Sequence, residues 1–152
     1  ANRIREIASY FNAEMVICDK HRKRANEIAS MVVIGDVTDK NVILIDDICD
    51  TGGTLAKSAG LLKEKGATTV RAMCTHPVLS GKAYENIAGS VLEELVVCDT
   101  IPLKQQVDKI KVLSVANLFA VALRNAFEQR SITSLFIHSQ LKEQRDAELR
   151  GD

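Results

Sequence analysis

The sequence predicts an α/β fold, an open and mainly parallel sheet with helices on both faces, and three features of the chain carry that prediction. Four consecutive aliphatic residues, Val42, Ile43, Leu44 and Ile45, read as a strand buried on both faces, the pattern of a parallel sheet covered by helices. Apolar runs of strand length alternate with stretches whose apolar residues recur at helical spacing. Glycine stands where a helix has to stop, with Gly66 between one helical stretch and the next strand.

Taken in order, residues 3–11 place Ile4, Ile7, Ala8 and Phe11 on one helical face, and residues 15–18 form a short strand followed by a polar segment. A strand over 31–34 and a turn over 36–41 lead into the central strand. The helix predicted over 51–65 lines one face with Leu55, Ala59 and Leu62. Strand 69–74, loop 75–81, helix 82–87 and strand 94–98 repeat the unit. A last helix, capped by Ser114, turns Val115, Leu118, Phe119, Ala122 and Ala126 inward, and the tail from residue 141 onward is mostly charged.

Composition excludes whole classes of function. With 152 residues, 46% of them hydrophobic and 26% charged, the chain suits one folded domain and is neither disordered nor membranous. Twenty basic and twenty acidic residues cancel, so no global field draws it to nucleic acid or anionic lipid, and any phosphate affinity has to be local. Cys18, Cys49, Cys74 and Cys98 form no Cys-x-x-Cys pair, which argues against a zinc site and for buried, reduced thiols in a cytosolic protein.

The central strand runs into Asp46 and Asp47, then Asp50, Thr51, Gly52, Gly53 and Thr54. In open α/β sheets the carboxyl edge of the strands is where ligands bind. The two glycines permit positive φ and close backbone approach, the threonines offer hydroxyls, and the helix opening here turns unpaired N–H groups and a positive dipole end outward. A phosphate fits that nest. Carboxylates do not favour phosphate, so the partners of Asp46 and Asp47 are neighbouring sugar hydroxyls or a hard cation such as magnesium. A second feature, the basic run from Lys20 to Arg24, follows a predicted strand and is placed to close over a polyphosphate.

These loop residues resemble the phosphoribosyl-diphosphate binding motif shared by type I phosphoribosyltransferases and ribose-phosphate diphosphokinases. The rest of the chain, from near Ala1 to about His138, resembles the carboxyl-terminal half of the ribose-phosphate diphosphokinase family. Beside the loop, residues 19–26, 34–37, 75–81, 97–103 and 131–136 carry the resemblance in the right order. It implies a type I phosphoribosyltransferase-like domain over 1–140 with a charged tail over 141–152. It also implies diphosphoryl transfer from ATP to ribose 5-phosphate, giving phosphoribosyl diphosphate and AMP. Lys20 and Arg22 match the catalytic lysine and arginine of a mobile loop, although Lys23 and Ala25 stand where many family members have proline. Residues Asp46, Asp47, Asp50, Thr51, Gly52, Gly53 and Thr54 then hold ribose 5-phosphate, with Mg2+ at Asp46 and Asp47. Ser131, Thr133 and Phe136 match an effector site for ADP or phosphate between subunits of a cytoplasmic homohexamer. His21 and His138 have no catalytic role on this reading, and His76 is a turn or subunit contact. The resemblance makes the chain a fragment or excised domain that is inactive alone. Two other readings are a phosphoribosyltransferase, for which no base-recognising hood is found, and a non-catalytic regulatory homologue.

Overall fold

The chain runs α1 (Asn2–Tyr10), β1 (Ile17–Arg24), β2 (Glu27–Ile34), β3 (Asn41–Cys49), α2 (Gly53–Glu64), β4 (Thr69–Pro77), α3 (Ala83–Ala88), β5 (Glu94–Cys98), β6 (Ile110–Leu113) and α4 (Ala116–Phe127), followed by a 3-10 turn at Thr133–Leu135. The computed structural model describes residues 2–24 and 27–136, with side chains for 4–19 and 31–136. His21 as a side chain, His138 and the charged tail therefore lie outside the described residues. The chain divides into two compact units, Val16–Ser114 and one built from its two ends.

In Val16–Ser114 a four-stranded sheet ordered β3-β4-β5-β6 has every neighbouring pair parallel, so the unit is α/β as the sequence predicts. The alternation in β4 shows how the sheet is built. Val70, Ala72 and Cys74 are buried, whereas Arg71, Met73 and Thr75 between them are exposed. The buried set joins Leu95, Val97 and Ile110 in one core with Leu55, Ala59 and Leu62 of α2 and Ala83, Tyr84 and Ile87 of α3. Helix α2 ends as Gly66 requires. Gly66 takes a φ of +95°, its N–H donates to Lys63 O at 3.0 Å, and Ala67 N–H donates to Leu62 O at 3.0 Å, which pairs off the last carbonyls and seats Ala67 on Leu62.

Within this unit four expectations change. Strand β3 is not buried on both faces: it is an edge strand, where Val42 and Leu44 pack on the core while Ile43 is 54% exposed. An unbroken aliphatic run cannot say which of its two faces is covered. Strand β3 also runs on to Cys49, so Asp46 and Asp47 lie inside its ladder, Asp46 opposite Cys74 and Ile48 opposite His76. The polar segment after the first predicted strand is itself strand. β1 and β2 form a separate antiparallel pair from Ile17 opposite Ile34 to Arg24 opposite Glu27, irregular at Arg22. Last, β6 has no counterpart in the sequence reading, because four residues interrupted by Lys111 give no strand-length apolar run.

The unit formed by the chain ends contains α1, α4 and the 3-10 turn. Val115 rather than Ser114 occupies the N-cap position of α4. None of its residues is buried, and Phe119 is 56% exposed, so the inward face predicted from periodicity is not covered among the described residues. A helical stripe specifies a face that favours burial and leaves open what buries it.

Candidate functional site

The carboxyl ends of β3, β4 and β5 and the turn into α2 form one edge of the Val16–Ser114 unit. At that edge Asp47 N–H donates to Asp46 Oδ1 at 2.9 Å, a bond between neighbours that fixes the first carboxylate against the strand. Burial is the largest influence on Asp46 and raises its pKa, with hydrogen bonding to the Asp47 side chain adding in the same direction. The Cys74 thiol beneath donates to Asp47 O at 3.5 Å and His76 O at 3.4 Å.

After Cys49 the chain turns through Asp50 and Thr51 into α2. Gly52 is the N-cap, left-handed at φ +69°, and a Cβ there would meet Ile87 Cδ1 at 3.2 Å and Ala83 O at 3.4 Å. Both the handedness and the space require glycine. Gly53 differs: as the first residue of α2 it has only Thr51 Oγ1 at 3.8 Å and Asn86 Nδ2 at 3.9 Å near its Cβ direction. The first intrahelical bond is Ala56 N–H to Gly52 O at 2.9 Å, so the N–H groups that precede it in the helix need partners other than helical carbonyls. Donors and a positive dipole end are thus collected beside exposed Asp46, Asp47 and Asp50.

The loop and helix predicted over 75–87, given no part in the site by the sequence, hold this turn in place. Leu79 N–H donates to Cys49 O at 3.1 Å, Ser80 N–H donates to Asp50 O at 3.0 Å, the Ser80 hydroxyl donates to Asp50 Oδ1, and Asn86 Nδ2 donates to Thr51 O at 2.8 Å. Ser80 and Asn86 lie 30 and 35 residues from their partners, so no local pattern announces them. The signals in the sequence were the turn chemistry of Pro77 and Gly81 and the family resemblance over 75–81, and neither names Ser80 or Asn86 as a partner of the turn. His76, read as a turn residue, bonds through Nδ1 to Thr100 Oγ1 at 2.9 Å, while that hydroxyl donates to Thr75 O at 3.0 Å. With its one proton given to Thr75 O, Thr100 accepts from His76 Nδ1–H.

Lys20 and Arg22 lie in β1, opposite Met31 and Ile28, and their side chains lie outside the described residues. Ser131 and Thr133 bond to each other, Oγ to Oγ1 at 2.8 Å, beside exposed Phe136 in the other unit. For magnesium, Asp46 and Asp47 offer hard carboxylate oxygens, and among the described residues no group of three or more His, Cys, Asp or Glu side chains converges on one point. Two carboxylates suit a magnesium ion that completes its shell with water and ligand oxygens, not a cage made by protein alone.

Comparison with known proteins gives a consistent picture. The chain is 58% identical over 135 residues to the ribose-phosphate pyrophosphokinase of Campylobacter jejuni, a match covering 89% of this chain and 44% of that protein. It is 53% identical to the ribose-phosphate pyrophosphokinase of Wolinella succinogenes over the same shares of each. In structure it is similar to the phosphoribosylpyrophosphate synthetase of Mycobacterium smegmatis, with a TM-score of 0.73 and 34% identity over 85% of this chain and 43% of that one. The chain thus spans less than half the length of these relatives. The profile of the phosphoribosyl synthetase-associated domain matches residues 10–137, more than half of the chain, and so it is to this family that the chain belongs.

Proposed function

We propose that the chain supplies the ribose 5-phosphate site of a ribose-phosphate pyrophosphokinase. The observation that carries the reading is the run of β3 through Asp46 and Asp47 into a left-handed Gly52 that opens α2. The N–H groups at the start of α2 and the Thr51 and Thr54 hydroxyls hold the 5-phosphate, Asp50 sits at its border, and Asp46 and Asp47 accept from the ribose hydroxyls. Asp46 and Asp47 would hold magnesium, which would supply charge screening and orientation.

In the reaction, the anomeric hydroxyl oxygen of ribose 5-phosphate attacks the β-phosphorus of ATP. A new P–O bond forms, the bond to the α-phosphate oxygen breaks, AMP departs, and the hydroxyl proton is lost. Such transfer depends on alignment and charge neutralisation more than on covalent help. Lys20 and Arg22 provide the cationic partners of the moving group. Residues outside this chain complete the ATP site. The parent enzyme is a cytoplasmic homohexamer, with Ser131, Thr133 and Phe136 in an effector site for ADP or phosphate.

The decisive experiment replaces the matching segment of the Campylobacter jejuni relative with this chain and supplies ribose 5-phosphate, ATP and magnesium. AMP and phosphoribosyl diphosphate should form in equal amounts. A folded chimera that makes neither would overturn the reading.

A further inference from the structure

We propose that Ser80 and Asn86 are positioning residues that set the phosphate-binding turn in its working shape, an inference that rests on the site reading above. Three consecutive residues, Cys49, Asp50 and Thr51, have their carbonyl oxygens taken by donors from the segment that links β4 to α3 and from α3 itself. The arrangement is built with backbone strain: Leu79, which leads into Ser80, has a φ of +45° yet is only 2% exposed. A branched aliphatic residue persists in that conformation only where its surroundings hold it.

Ser80 grips Asp50 twice, at the carbonyl through its N–H and at the carboxylate through its hydroxyl. The second grip matters electrostatically. A free carboxylate beside a bound phosphate repels it, and the Ser80 hydroxyl holds one Asp50 oxygen away while the rest of the group stays able to accept from a sugar hydroxyl. Asn86 fixes the peptide between Thr51 and Gly52. Its amide donates to the Thr51 carbonyl at 2.8 Å. With that carbonyl engaged, rotation of the peptide plane is resisted, and the N–H groups that follow it in α2 keep one direction. Ile87, one residue on, presses against Gly52 from the same helix. The turn is therefore held jointly by the segment that links β4 to α3 and by α3.

The test uses the chain as it stands, with calorimetric titration of ribose 5-phosphate in magnesium. Ser80→Ala and Asn86→Asp, the second isosteric but unable to donate, should each weaken binding by about tenfold, the scale for losing a hydrogen bond that orients a charged site. Ser80→Thr retains the hydroxyl and should recover affinity to within about threefold, which separates positioning from packing. In the unsubstituted chain the Asn86 side-chain amide resonance should shift with the same midpoint as the Gly53 amide, so the inference stays testable even where a variant does not fold. Folded Ser80→Ala and Asn86→Asp proteins that bind as tightly as the unsubstituted chain would overturn it. So would an Asn86 resonance indifferent to ligand. An unsubstituted chain that binds no ribose 5-phosphate sinks the site reading itself, an outcome distinct from variants that match a binding parent.

Discussion

Gly52 lies directly against Ile87, so close that a methyl group on its α-carbon would stand 3.2 Å from Ile87 Cδ1. Its φ of +69° adds a second reason for glycine. Gly52→Ala should therefore lower stability by roughly 1–3 kcal/mol through left-handed strain and crowding. Gly53→Ala is the control. With no atom nearer than 3.8 Å to the added carbon, it should leave stability unchanged or raise it by up to about 1 kcal/mol, since alanine favours helix over glycine. Denaturant midpoints of both variants decide the point, and equal destabilisation would contradict this account of the turn.

Asp46 gives the site a pH dependence whose direction follows from burial. Its raised pKa means the fold prefers the neutral acid. The stability this contributes is fully present below the ordinary carboxylate value and is lost as pH rises through the raised native value. Thermal midpoints followed upward from pH 3 should show that loss, and Asp46→Asn should remove it. Magnesium requires the ionised form, so binding of metal with ribose 5-phosphate should release more protons below the raised native value of Asp46 than above it. Buffers of different ionisation enthalpy in calorimetry would measure the release. Asp46→Asn proteins with an unchanged pH profile would exclude Asp46 as its source.

The thiols differ in what they offer to reagents. Cys49 is buried, with its pKa pushed up to about 11 mainly by desolvation and then by neighbouring Cys74 and Asp46. At pH 7 that leaves about one thiolate in ten thousand, and the thiolate is the reactive form. Cys74 is buried as well, and burial raises its pKa in the same direction. Alkylation of the folded chain should reach Cys18 and Cys98 before the other two, with Cys49 and Cys74 modified only on the timescale of unfolding. Mass spectrometry of peptides after timed exposure to iodoacetamide reads this directly.

What could be read in advance followed sequence distance. Leu55, Ala59 and Leu62 declared the buried face of α2 by spacing alone, and Gly66 declared its end, because both are properties of one turn of chain. The residues proposed for the site at the turn into α2 were equally visible, since Asp46 to Thr54 are contiguous. Hidden from sequence was everything that depends on a second segment: the Ser80 and Asn86 grips, the edge position of β3, and the pairing of β1 with β2. Lys20 to Arg24 illustrates the last case. A run of cations reads as solvated loop, yet backbone pairing in an antiparallel ribbon needs only N–H and C=O groups and tolerates charge on its exposed faces.

Lys20 now stands opposite Met31 in that ribbon, remote in sequence from the turn it is proposed to serve. If its ammonium meets the transferring group only as charge builds on it, removing the cation must cost turnover and spare the sugar. In a chimera carrying this chain, Lys20→Ala should lower kcat by about a hundredfold to a thousandfold, the scale for deleting one preorganised charge-stabilising donor, and leave KM for ribose 5-phosphate within about threefold. Lys20→Arg should recover part of the loss, because charge survives while the fork of donors replaces a point charge. Parallel losses in kcat and in sugar affinity would place Lys20 in ground-state binding and return the ribbon to a structural role.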